Sequence, residues 1–106
     1  MERTIDFVER LRARNDGCSN YRIAKLLGCS QSVVIRYTKH NGTMDDNYAL
    51  RMSELLEIDP AYVLACMAAE RSSNVETTRI WERIAEKFIA ASLAVVVCMP
   101  LIHWHF

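Results

Sequence analysis

Ala24 and Gly28, four residues apart between two short apolar periods, constrain this chain more than any other feature. Two helices that cross at a tight turn need a small residue where their backbones approach, and Ala24 stands there. They need a residue that tolerates a left-handed backbone at the turn, and Gly28 provides it. Their facing sides need apolar side chains, and Ile23, Leu27, Cys29, Val34 and Tyr37 fall at helical spacing. The seven positions lie within NYRIAKLLGCSQSVVIRYTK, residues 20–39. An ordinary helical hairpin has no reason to satisfy the whole set, whereas two helices crossing at a tight turn require it.

The surrounding chain also reads as helical. Glycine and proline number only three and two, and β-branched alternations are few, so an all-α fold is expected. Ile5, Phe7, Val8 and Leu11 predict a first helix over residues 4–14, stopped by Asn15, Asp16 and Gly17. Asn20 is placed to cap the second helix, and Gly28 to end it. Ser30 caps a third helix over residues 31–40, and Asn41 and Gly42 form a turn. Thr43 is placed to cap a fourth helix, residues 45–57, which buries Tyr48, Met52, Leu55 and Leu56. Asp45 and Asp46 in its first turn suit the positive end of the helix dipole. Asp59 followed by Pro60 opens a fifth helix, residues 60–71, with Tyr62, Val63, Cys66 and Met67 as its core.

Ser73 and Glu76 have the form of a capping box for a sixth helix. Its first half sets Ile80, Trp81, Ile84, Ala85 and Phe88 against Arg79, Glu82, Arg83, Glu86 and Lys87. The expected organisation is therefore a domain over residues 1–71 and a C-terminal helix over residues 72–106.

The formal net charge is zero, but the charge is unevenly spread. Residues 1–40 hold eight basic residues against four acids, and residues 41–70 hold one against six. A basic N-terminal third suits a phosphate-bearing partner. Four cysteines, at 18, 29, 66 and 98, show no paired spacing, and the charged, amphipathic first residues do not form a secretory signal. Reduced thiols in a cytoplasmic protein are expected.

The segment Ala24-Lys-Leu-Leu-Gly-Cys-Ser-Gln-Ser-Val-Val-Ile-Arg-Tyr37, with the two helices expected after it, resembles the Cro/CI-type, lambda-repressor-like helix-turn-helix family of DNA-binding proteins. The resemblance covers about residues 4–70. It implies a five-helix DNA-binding domain whose third helix enters the major groove. The chain departs from the family where Lys39, His40, Asn41 and Gly42 follow that helix, and where Asn20 and Tyr21 open the second.

Within that frame Gln31 suits a bidentate contact to adenine and Arg36 one to guanine. Ser32 can bond several base edges, and Ile35 can touch a thymine methyl. Tyr21, Arg22, Lys39 and Asn41 flank the groove as phosphate contacts, which position without specifying. Val33, Val34 and Tyr37 read as packing residues. The expected function is a transcriptional regulator, a repressor of phage or prophage type, that binds double-stranded operator DNA as a homodimer.

Residues 88–106, FIAASLAVVVCMPLIHWHF, contain no Asp, Glu, Lys or Arg. Their length is close to the ~20 residues that span a bilayer. Arg79, Arg83 and Lys87 before them would hold the domain on the inner face of a cytoplasmic membrane. Pro100, His103 and His105 count against a span. A protein-packed dimerisation element is the competing reading, and a disordered tail a third. A membrane-anchored interaction protein that binds a protein partner is thus the alternative function. No clustered metal ligands, nucleophile–base arrangement or phosphate-binding glycine loop points to a metal, a cofactor or an enzyme.

Overall fold

The computed structural model describes the backbone of residues 1–103 and the side chains of residues 1–90. It contains six helices and, among the described residues, no strand. They are α1 (Thr4–Arg14), α2 (Asn20–Leu27), α3 (Gln31–Lys39), α4 (Asp46–Leu56), α5 (Pro60–Arg71) and α6 (Val75–His103).

One apolar core joins α1 to α5. Phe7, Val8, Leu11, Ile23, Val34, Met44, Ala49, Met52, Val63, Cys66 and Met67 are completely buried in it. α5 packs against both α4 and α6 and buries Val63, Ala65, Cys66, Met67 and Ala69. A helix covered on several sides needs apolar residues around much of its circumference, which explains why α5 lacks a sharp polar face. Of the expected apolar stripe on α6, Ala85 is buried, Ile84 and Phe88 are half-buried, and Ile80 and Trp81 are exposed.

A polar tie fastens α1 to α5 inside the core. Thr4 is fully buried, and its hydroxyl donates to Glu70 Oε1 at 2.6 Å while accepting the Met44 amide at 3.0 Å. The Thr4 amide and Arg3 Nε also donate to the Glu70 carboxylate, at 3.1 and 3.0 Å. One hydroxyl thereby joins α1, the segment after α3 and α5.

Helix boundaries follow the expected signals closely, but three caps fall on neighbouring residues. Ser19, not Asn20, caps α2, accepting the Arg22 amide at 3.2 Å. The Asn20 carboxamide instead accepts from Arg12, which also holds the Cys18 carbonyl. Asp45, not Thr43, caps α4. Asn74 caps α6 through its Oδ1, which accepts the Glu76 and Thr77 amides, so the expected Ser73–Glu76 box is not the device used. Asp59 and Pro60 open α5 as expected.

Pro100 does not interrupt α6, whose helical span runs to His103. Among the described residues no helix is long and apolar enough to cross a membrane. Most of the uncharged stretch 88–106, including Trp104 and His105, lies outside the residues whose side chains are described.

Candidate nucleic-acid interface

α2 and α3 are joined by three residues, Gly28, Cys29 and Ser30. Gly28 takes the left-handed backbone, φ 76° and ψ 32°, that a side chain would strain. Its amide and that of Cys29 both donate to the Ala24 carbonyl, at 2.8 and 3.0 Å, which closes the turn. Ile23, Ala24, Leu27, Val34 and Tyr37 are buried where the two helices meet the core. Arg51 Nε donates to the Leu26 carbonyl at 3.1 Å and satisfies part of the C-terminus of α2.

This burial decides which side of α3 faces outward. Gln31, Ser32, Ile35, Arg36 and Lys39 are all exposed. At about 100° per residue they fall within an arc of about 140°. Val34 and Tyr37 occupy the opposite side and are buried, with Val33 and Thr38 half-buried between. Tyr21, Arg22 and Lys25 form the exposed side of α2. The four residues expected to touch bases thus share one exposed face of α3. Of the four expected at phosphates, Tyr21 and Arg22 stand at the first turn of α2, Lys39 at the last turn of α3, and Asn41 just beyond it. Asn41 has a left-handed backbone, φ 54°.

Two cations of this face rest on aromatic rings. Lys25 Nζ lies 5.0 Å from the centre of the Tyr21 ring, and the Arg36 guanidinium carbon 5.8 Å from that of Tyr37. Lys25 was not among the expected contacts. Its four-residue spacing from Tyr21 on the exposed side of α2 was the available signal. Tyr37 is held protonated. Burial, then the Cys29 and Asp45 charges, push its hydroxyl up to about 12, with Arg36 opposing. Burial also raises the Cys29 thiol, which leaves it a packing group rather than a reactive one.

Charge pairing separates this face from the rest of residues 1–74. Arg3, Arg10, Arg12, Arg14, Arg51 and Arg71 each hold an acid, Glu70, Glu2, Glu9, Glu57, Glu54 and Asp46 respectively. Arg22, Lys25, Arg36 and Lys39 hold none among the described residues. Residues 17–44 contain no Asp or Glu at all. The start of α3 is also open. The Ser30 hydroxyl bonds Ser32 Oγ at 2.9 Å and gives the helix no side-chain cap. Without a side-chain cap, its first backbone amides stay available to an anion at the positive end of the dipole. Among the described residues no group of three or more His, Cys, Asp or Glu could hold a metal ion.

No family model matches the chain, and searches of curated proteins and of solved structures return no match.

Proposed function

We propose that this chain is a sequence-specific DNA-binding transcriptional regulator. In this reading residues 1–71 are a lambda-repressor-like helix-turn-helix domain, and the protein acts as a repressor, binding duplex operator DNA as a homodimer. The observation that carries the reading is the segregation of cations. Every basic side chain of residues 1–74 is neutralised by an acid except the four on α2 and α3. Arg79, Arg83 and Lys87 of α6 also hold none among the described residues, but they are interleaved with Glu76, Glu82 and Glu86, whereas α2 and α3 contain no acid. A face with four unpaired cations and no acid attracts a polyanion, although the whole chain is neutral.

The roles follow from position. α3 lies in the major groove with Gln31 and Ser32 foremost, and Ile35 and Arg36 one turn later. Gln31 pairs with adenine and Arg36 with guanine, each pair worth ~1–3 kcal/mol of discrimination. Tyr21, Arg22, Lys25, Lys39 and Asn41 hold the phosphates on either side. α6 pairs two copies, and two half-sites then multiply the specificity of one.

The test is selection from random duplexes with the full chain, followed by affinity for the selected site and for scrambled DNA. Gln31→Ala combined with Arg36→Ala is expected to abolish the preference while leaving salt-sensitive binding to any duplex. Undiminished preference in that double variant would remove α3 from the interface.

A further inference from the structure

Gly42 has a backbone that does not require glycine. Gly17 and Gly28 have positive φ, and Gly42 does not. What excludes a side chain there is proximity. A Cβ added at Gly42 would lie 2.8 Å from Arg36 Cγ and 3.3 Å from both Arg36 Nε and the Arg36 carbonyl oxygen. The Arg36 stem therefore lies directly over the Gly42 Cα. The guanidinium approaches the Tyr37 ring, which is fixed in the core at 1% exposure. The Gly42 amide donates to the Arg36 carbonyl at 3.0 Å, so backbone and side chain of Arg36 are held by the same residue.

We infer that Gly42 is a positioning residue for Arg36, and so a determinant of DNA sequence preference that itself touches no base. The inference rests on the DNA-binding reading above. A long, flexible arginine loses rotamer freedom when it docks on a base, and a stem already confined loses less. Among the described residues Arg22 and Lys39 have no ring or side-chain hydrogen bond to hold them, and Lys25 meets only the exposed Tyr21 ring, which suits residues that follow a phosphate wherever it lies. Arg36 is seated, which suits planar, bidentate recognition of a guanine edge.

Gly42→Ala forces the Arg36 stem to another rotamer because the obstructed atom is Cγ, near the root of the side chain. The expected loss is about two- to tenfold in preference for the selected duplex over scrambled DNA. Affinity for scrambled DNA, set by the other cations, is expected to stay unchanged. In an Arg36→Ala background, where the alanine meets no stem, Gly42→Ala is expected to cost no further preference, because the 3.3 Å contact with the backbone carbonyl is common to both backgrounds and carries no base recognition.

The experiment is this double-mutant cycle on the full chain, with each variant's thermal midpoint recorded. If Gly42→Ala alone unfolds and the double variant folds, the clash runs through Arg36 and the positioning stands. Equal, additive losses in both backgrounds would overturn the role of Gly42 and leave the DNA reading intact. Failure of the wild-type chain to prefer any duplex overturns both.

Discussion

Replacing Thr4 by valine tests the polar tie at the heart of the fold. Valine matches threonine in shape but has no hydroxyl. The substitution leaves the buried Met44 amide without its acceptor at 3.0 Å, at a cost of about 1–3 kcal/mol. It also removes the 2.6 Å bond to Glu70, whose carboxylate is only 4% exposed and keeps the Thr4 amide and Arg3. A hydrogen bond to a charged group contributes about 1.5–3 kcal/mol, so the combined loss is about 2.5–6 kcal/mol. A small domain has only about 5–15 kcal/mol in total. At about 4–8 °C per kcal/mol, the thermal midpoint should drop by at least about 10 °C. Thr4→Ser keeps the hydroxyl and loses one buried methyl, worth about 1 kcal/mol. Urea and thermal unfolding followed by circular dichroism measure both variants. The reasoning fails if the valine variant is as stable as the serine variant, because methyl packing would then outweigh the hydroxyl.

Asp59→Ala removes the side chain that accepts the Ala61 amide at 2.9 Å and should cost about 1 kcal/mol in urea unfolding. Ser30→Ala should cost much less, because its hydroxyl does not cap α3, and equal losses would contradict that geometry. Stability should fall in alkali. Cys66 is raised from 9.0 to about 11 and Tyr37 from 10.0 to about 12, both chiefly by burial, so the folded state retains their protons longer than the unfolded chain does. Their contribution is complete below pH 9 and is lost as pH rises through 11 and then 12. Tyr37→Phe should flatten the upper part of that decline, and an unchanged pH profile would argue against a titrating Tyr37. For DNA, Lys25→Ala and Lys39→Ala should each reduce the slope of log affinity against log salt by about 0.9 without altering which duplex is preferred. A slope that does not move would take that lysine off the phosphates.

The turn between α2 and α3, the start of α5 and the exposed arc of α3 are legible in the sequence because each depends on residues a few positions apart. Gly28 takes the left-handed backbone expected of it, and Asp59 and Pro60 begin α5. The missed caps shift by one or two residues, and tertiary contacts account for one of them. Asn20 is a good capping residue, but Arg12 reaches across from α1 and takes its carboxamide oxygen. Ser19 then supplies the cap. The Thr4–Glu70 tie was invisible for a stronger reason. Its members lie 66 residues apart, and nothing in the local pattern of either predicts that a charged residue near the end of α5 will be buried.

The same limit applies to the candidate interface and explains why its charge could not be read by counting. By count, residues 1–40 are basic and residues 41–70 acidic, which places the acids unhelpfully close to the proposed DNA-binding unit. Folding redistributes that charge. Glu57 is taken by Arg14 from 43 residues away, Asp46 by Arg71 from 25, and Glu70 by Arg3 from 67. Each acid of the second block that pairs over distance thus meets a cation drawn from α5 or from the region of α1. None draws on α2 or α3. Most of these pairs are exposed and contribute little to stability. Their larger consequence is the field they leave. Acids that would oppose a polyanion are partly neutralised, while the only basic residues without partners in residues 1–74 share one pair of helices.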